Sequence, residues 1–243
     1  MIHTQHLKAG DTMIFITGDT HGDYNDFCSR MDKARPAPGD TVIVAGDFGF
    51  VWWTKNQKEN LEKLKELPCT IAFADGNHED FGMLYSYPEE EWNGGRIHRI
   101  APNIVHLMRG QQFVIEGMSF FVMGGAYSID KAFRTEDYTW WKEELPTDEE
   151  YKTAAATLEK CGYKTDYIIT HTIPEAVFYR IPMTPEQDEK ELSGFLEWVR
   201  EKTEYRQWFA GHIHIDEKYD DLKVRILYHD VVTLPVTDYA EVF

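Results

Sequence analysis

Apolar residues in this chain fall in short runs, each closed by glycine, aspartate or histidine. The runs are MIFIT (13–17), TVIVA (41–45), TIAFA (70–74), NIVHL (103–107), QFVIE (112–116), SFFVM (119–123), YIIT (167–170), QWFA (207–210), VRILY (224–228) and VVTL (231–234). Short apolar runs of this kind, bounded by turn residues, predict buried strands. Helical patterns between them predict helices at roughly 24–35, 56–67, 148–162 and 187–203. Strand–helix–strand order through the first third predicts parallel strands joined by crossover helices. Hairpin-like spacing in 103–123, and again in 224–234, predicts antiparallel additions. The expected fold class is α/β: two mixed β-sheets packed as a sandwich and flanked by helices. No repeat, low-complexity linker or shift in composition divides the chain, so one domain over 1–243 is expected.

Composition adds limits. With 243 residues, 42% of them hydrophobic and 28% charged, the chain can bury a substantial core. Its first residues, MIHTQHLKAGD, contain no apolar segment, and no stretch approaches the ~20 apolar residues of a membrane span. Three separated cysteines, Cys28, Cys69 and Cys161, lack the paired spacing of a zinc site or a disulfide framework. These features predict a cytoplasmic protein with reduced thiols and no membrane association. A formal charge of −17 disfavours long nucleic acid, which needs a basic face. It leaves small phosphorylated substrates open, because divalent ions in a cleft reverse the local field.

The chemistry lies where the predicted strands run out. Asp19 and His21 occur in GDTHGD, Asp47 in AGDFG, Asn77 and His78 in DGNHED, His171 in IITH, and His212 and His214 in AGHIH. Asp19, Asp47, Asn77, His171 and His212 each follow a predicted strand closely, which places them at the carboxyl edge where open α/β sheets bind ligands. Gly18, Gly46, Gly76 and Gly211 precede several of them and allow tight turns. Oxygen and imidazole donors without thiolate suit Mn, Fe, Co, Ni or Zn. Seven such donors suit two ions better than one. Two ions sharing a carboxylate suit phosphate ester hydrolysis, in which a bridging water becomes hydroxide near neutral pH and the ions neutralise phosphoryl charge.

In this order the motifs resemble those of the calcineurin-like metallophosphoesterase superfamily: D-x-H, GD, GNH[ED], H and GH-x-H, here spanning positions 19 to 214. The resemblance implies one ion held by Asp19, His21, Asp47 and His214, and a second held by Asp47, Asn77, His171 and His212. Asp47 would bridge them, and the cofactor would be two divalent or trivalent metal ions. It also implies the layered fold expected above. His78 resembles the family's histidine facing the leaving-group oxygen, which would make it a general acid or a transition-state donor; ordering of its loop is the structural alternative. Glu79 or Asp80 could orient its ring.

Other positions are less specific. Asp23 could support a ligand histidine or cap the following helix. His106 alternates with apolar neighbours and reads as structural, whereas His98, between Arg96 and Arg99, reads as a loop residue. The segment GGAYSIDKAFR reads as a loop offering Lys131 and Arg134 as substrate-phosphate binders, or as ordinary surface charges. Trp52, Trp53, Trp140 and Trp141 form two aromatic pairs suited to packing, and less so to base stacking. The glutamates at 89–91 read as a solvated face.

Protein phosphatases and dinucleoside tetraphosphatases of the superfamily carry GD-x-x-D-R-G and end in a single histidine. This chain reads GDFGFVWW and keeps both His212 and His214, which weighs against that branch. The expected activity is hydrolysis of a small phosphomonoester or phosphodiester, with Asp47 and His78 at its centre. Alternatives are a nucleotide phosphodiesterase or nuclease, and a non-catalytic metal-binding scaffold of the same fold.

Overall fold

Alternate side chains of the central strands serve two different cores, so both strand faces are apolar. In the computed structural model, which describes residues 12–235, Ile14 and Ile16 of β1 (Met13–Thr17) face the opposing sheet while Phe15 faces the flanking helices. The same division holds in β8 (Met118–Met123): Phe120 and Val122 point inward, Phe121 and Met123 outward. A period of two with both faces buried gives the continuous apolar runs of a covered, largely parallel sheet.

The first sheet also contains β2 (Thr41–Val44), β3 (Thr70–Phe73), β4 (Glu89–Trp92), β5 (Gly95–Ala101), β6 (Ile104–Leu107) and β13 (Val231–Pro235), in the order β13-β1-β2-β3-β6-β5-β4. Strands β1, β2, β3 and β6 run parallel, with antiparallel strands at both margins. The second sheet adds β7 (Gln111–Ile115), β9 (Tyr167–Thr170), β10 (Gln207–Ala210), β11 (Glu217–Tyr219) and β12 (Val224–Ile226), in the order β11-β12-β10-β9-β8-β7. Helices α1 (Tyr24–Ala34) and α2 (Lys55–Lys65) cover the first sheet through Phe27, Met31, Leu61 and Leu64. Two short helices, α3 (Phe81–Leu84) and α5 (Glu175–Phe178), follow site loops. The outer face of the second sheet is covered by α4 (Asp148–Lys160) and α6 (Lys190–Lys202) through Leu158, Leu192, Leu196 and Val199.

The two expected hairpins are built differently. Strands β6 and β7 are consecutive but lie in different sheets; the antiparallel pair is β7–β8. Likewise β12 joins the second sheet and β13 closes the first, so 224–234 crosses between layers. Strands also form at 89–101 and 217–219, where the apolar pattern predicts none. His98 therefore sits on β5, buried, and not in a loop. Glu89–Glu91 is an exposed margin strand, β4, and charged side chains there discourage edge-to-edge pairing. Asp23 caps α1, accepting from the backbone N–H groups of Asn25 and Asp26. All three cysteines are free. Among the described residues no helix is long and apolar enough to cross a membrane.

Candidate metal centre

Loops leaving β1, β2, β3, β9 and β10 bring Asp19, Asp47, Asn77, His171 and His212 to one edge of the sandwich. His171 Nε2 lies 3.3 Å from Asp47 Oδ1 and 3.1 Å from Asn77 Oδ1. His21 Nε2 lies 3.1 Å from Asp47 Oδ2, and His214 Nε2 lies 3.1 Å from Asp19 Oδ2. One donor atom from each of Asp19, His21, Asp47 and His214 falls within 4.8 Å of every other. Asp47 thus touches histidines from both expected ligand groups. His212 packs its ring 5.0 Å from that of His171, and its Nε2 also lies 3.6 Å from Glu189 Oε1.

Backbone geometry makes this convergence possible. His21, Asp47, His212 and His214 all adopt left-handed φ, at 47°, 49°, 67° and 56°. Each such non-glycine residue costs on the order of 1–3 kcal/mol. The glycines keep the loops close: a Cβ at Gly46 would overlap the His171 ring, and one at Gly76 would overlap the Asp47 carboxylate. Buried polar groups hold the turns. The Arg30 guanidinium donates to Thr17 Oγ1 (2.9 Å), the Gly18 carbonyl (3.0 Å) and the Asp19 carbonyl (2.8 Å). Glu79 accepts from the N–H groups of Phe48 (2.7 Å) and Gly49 (3.2 Å), pinning the Asp47 loop. Asp47 Oδ1 accepts from the His78 N–H (2.7 Å), and Asp19 Oδ1 from the His212 N–H (3.0 Å).

The donor set fits a cation. Asp19 and Asp47 are only 0% and 1% exposed. Asp47 Oδ2 is buried, and among the described residues it makes no well-aligned hydrogen bond; its polar neighbour is His21 Nε2 at 3.1 Å. A buried carboxylate oxygen left in this state is costly unless positive charge meets it. The field is strongly negative. Burial alone would lower His171, yet Asp47 and Asp19 raise it to about 10. Burial opposes ionisation of Asp47, and His171 nevertheless pulls it well below the usual carboxylate range. Burial, reinforced by His171, lowers His212 to about 3, so its imidazole is kept neutral.

At the mouth, His78 packs edge-on to His21 at 5.1 Å. Glu79 and Asp80 do not orient it, being spent on the Asp47 loop and on the cap of α3. Its neighbour is Arg134, whose Nη2 lies 3.3 Å from Nδ1 and 3.2 Å from Nε2. Burial lowers the pKa of His78; Asp47 opposes that shift and Arg134 adds to it. Arg134 is fixed by Asp130 at 2.8 Å. Lys131 does not join this group. It pairs with Asp188 at 3.6 Å and lies over the Trp140 ring at 4.6 Å. Half-buried Trp52 packs edge to face on buried Trp141. Trp53 instead stacks on Tyr138 at 5.1 Å, with 44% and 52% of their surfaces exposed.

Sequence reasoning missed several supports. Arg30 was findable as a charge on the buried face of α1, beside Phe27 and Met31. Ser128 stands in the GGAYSIDKAFR loop near the candidate anion binders, whereas Glu189, Glu144 and Tyr228, which stacks on His214 at 4.7 Å, carry no local signal.

A family model described as calcineurin-like phosphoesterase matches residues 12–216. Solved structures with similar folds include a Staphylococcus aureus protein provisionally described as a 5′-nucleotidase, in complex with alpha-ketoglutarate. It is 13% identical with a TM-score of 0.49, and the match covers 92% of this chain and 50% of that one, so this chain spans half its length. Phosphopantetheinyl hydrolase from Mycobacterium tuberculosis is 16% identical with a TM-score of 0.49, covering 91% of this chain and 89% of that one. TT1561 of Thermus thermophilus is 12% identical with a TM-score of 0.48, covering 93% and 100%. The comparison with curated proteins gave no significant match.

Proposed function

The chain belongs to the calcineurin-like phosphoesterases, and we propose that it is a two-metal hydrolase of a small phosphomonoester or phosphodiester. The observation that carries this reading is Asp47, a buried carboxylate that reaches His21 with one oxygen and His171 with the other, one histidine from each expected ligand group. Asp19, His21, Asp47 and His214 would hold one cation; Asp47, Asn77, His171 and His212 would hold the other. Drawn from Mn, Fe, Co, Ni or Zn, the pair would supply Lewis acidity, lowering the pKa of bound water and neutralising phosphoryl charge. Asn77, as a neutral donor, leaves more of that positive charge for the substrate.

The protein's own groups do the rest. His78, at the mouth beside His21, serves the leaving-group oxygen as proton donor. Arg134, held by Asp130 with its guanidinium at His78, grips a phosphoryl oxygen as that bond breaks. Gly46 and Gly76 let backbone close over the ligands without displacing them. The substrate is small and soluble, and the protein acts in the cytoplasm.

One observation favours a nucleotide phosphodiesterase as the second reading. Trp53 and Tyr138 offer an exposed aromatic stack on a cleft of about 360 Å³ that also includes Asp80, Asp137 and Glu143. A planar base could stack there and donate N–H groups to the carboxylates. The test is hydrolysis of p-nitrophenyl phosphate, bis-p-nitrophenyl phosphate and a nucleotide diester, with each of the five metals and metal content measured on the same preparation. Metal-dependent turnover of any of them supports the hydrolase, and the preferred ester separates the readings. No turnover with two bound ions would favour a scaffold.

A further inference from the structure

Asn77 has two amide ends of nearly the same shape, so packing alone cannot choose which of them faces the centre; hydrogen-bond partners must. Its Nδ2 donates to Ser128 Oγ at 3.0 Å, in a fully buried contact, while its Oδ1 faces His171. Ser128 can accept there only if its own proton is directed elsewhere. At 1% exposure it has almost no access to water.

A side-chain acceptor beside it is Glu144. Its carboxyl adjoins the Ser128 hydroxyl and is itself 2% exposed. Oε1 accepts weakly from the Trp141 N–H at 3.4 Å, and Oε2 is a buried oxygen without a partner among the described residues. Thus a hydroxyl that needs an acceptor lies beside a carboxyl that needs a donor. The carbonyls of Glu143 and Glu144 are themselves tied down. Arg109 Nη2 donates to the Glu143 carbonyl (2.6 Å) and the Ala126 N–H to the Glu144 carbonyl (3.1 Å). The carboxyl is therefore presented on a fixed backbone.

We propose that Glu144 is a positioning residue for Asn77: through Ser128 it fixes the amide with nitrogen outward and carbonyl oxygen toward the metal centre. This rests on the reading of Asn77 as a ligand. A chain of this kind, behind a ligand, sets the ligand's orientation and so the affinity of the ion.

Full-length variants Ser128→Ala, Glu144→Met and Glu144→Gln, with the Ser128→Ala/Glu144→Met double, test it. Methionine keeps the volume and removes the acceptor; glutamine keeps a carbonyl acceptor. Mn²⁺ titration should show the weaker binding step loosened by about 10–100-fold in Ser128→Ala and Glu144→Met. The double should be no worse than either single, because both break one chain. Glu144→Gln should bind close to wild type, a rescue that mere packing would not give. In the metal-free protein, the side-chain amide resonance of Asn77 should move in Glu144→Met and return in Glu144→Gln. An unmoved Asn77 resonance in Glu144→Met, or losses that multiply in the double, overturns the proposal. Should wild type bind fewer than two ions, the two-metal reading fails, while the Asn77 resonance still decides the role of Glu144.

Discussion

Gly46→Ala is the sharpest test of how the centre is assembled. Gly46 adopts φ +90°, and a Cβ there would lie 2.6 Å from His171 Cβ and nearer still to its ring. Ordinary contact begins at 3.4 Å, so His171 must retreat by about 1 Å or the turn must open. Neither is easy, because His171 follows β9 directly and its Nδ1 is fixed 3.0 Å from the Ala45 carbonyl. A displacement of about 1 Å at a reacting centre can remove a factor of ~100 in rate. Backbone strain adds roughly 1–3 kcal/mol of destabilisation, a shift of several degrees in Tm. Gly39→Ala separates the two effects. That residue has φ +97° with nothing within 4 Å of its would-be Cβ, so it carries the strain without the collision. Expected are a loss in Tm for Gly39→Ala and a larger one for Gly46→Ala, where overpacking adds to the strain, with turnover of bis-p-nitrophenyl phosphate and Mn²⁺ affinity collapsing only in Gly46→Ala. Wild-type turnover and Mn²⁺ affinity in Gly46→Ala would refute the reasoning.

Three other sets of outcomes are expected. His78→Ala should keep its metal but lose most turnover, increasingly so as the leaving group becomes poorer; a uniform effect across leaving groups of differing pKa would remove His78 from the proton-donor role. Arg134→Ala should raise KM about tenfold, the loss of one charge-assisted hydrogen bond. Lys131→Ala should change kinetics little, because Asp188 and Trp140 engage that side chain; steady-state kinetics on one substrate checks both. The third concerns acid stability. Burial, with His106 adding to it, lowers His98 from 6.5 to about 4. The unfolded chain therefore takes up a proton that the folded chain refuses. Stability from this group is present above pH 6.5 and lost as pH falls toward 4, by up to roughly 3 kcal/mol. Denaturant titrations from pH 7 to 4 should show a shallower fall in His98→Gln; parallel curves would contradict the assignment.

The site was legible because its chemistry needs scarce residue types where strands end. Asp47 and His171, distant in sequence, lie 3.3 Å apart, and period-two burial in β1 and β8 matches the apolar runs. The partition of strands between sheets was not legible. The connection from Leu107 to Gln111 can fold back as a hairpin or step across to the other layer, and the apolar pattern on either side is the same. His98 was misplaced because β5, GRIHRIA, mixes arginine and glycine into a strand that only tertiary contact makes intelligible. There His98 Nδ1 lies 3.0 Å from His106 Nδ1, and His106 Nε2 lies 3.0 Å from Asp75, which also pairs with Arg109. Glu144 was invisible for a different reason, since a support two contacts removed from a ligand has no spacing rule; Ser128 stood in a candidate substrate loop, with nothing in its spacing to link it to Asn77.

Four residues whose side chains converge on one pocket sit where the main chain would be most relaxed as glycine: His21, Asp47, His212 and His214. Engineering guided only by melting temperature would be drawn to those positions, since replacing a left-handed non-glycine residue relieves local strain. On the two-metal reading proposed above, every gain found there would remove a metal ligand. Heat tolerance in this molecule should therefore be sought in its surface loops and helix caps, with the turns after β1, β2 and β10 left alone.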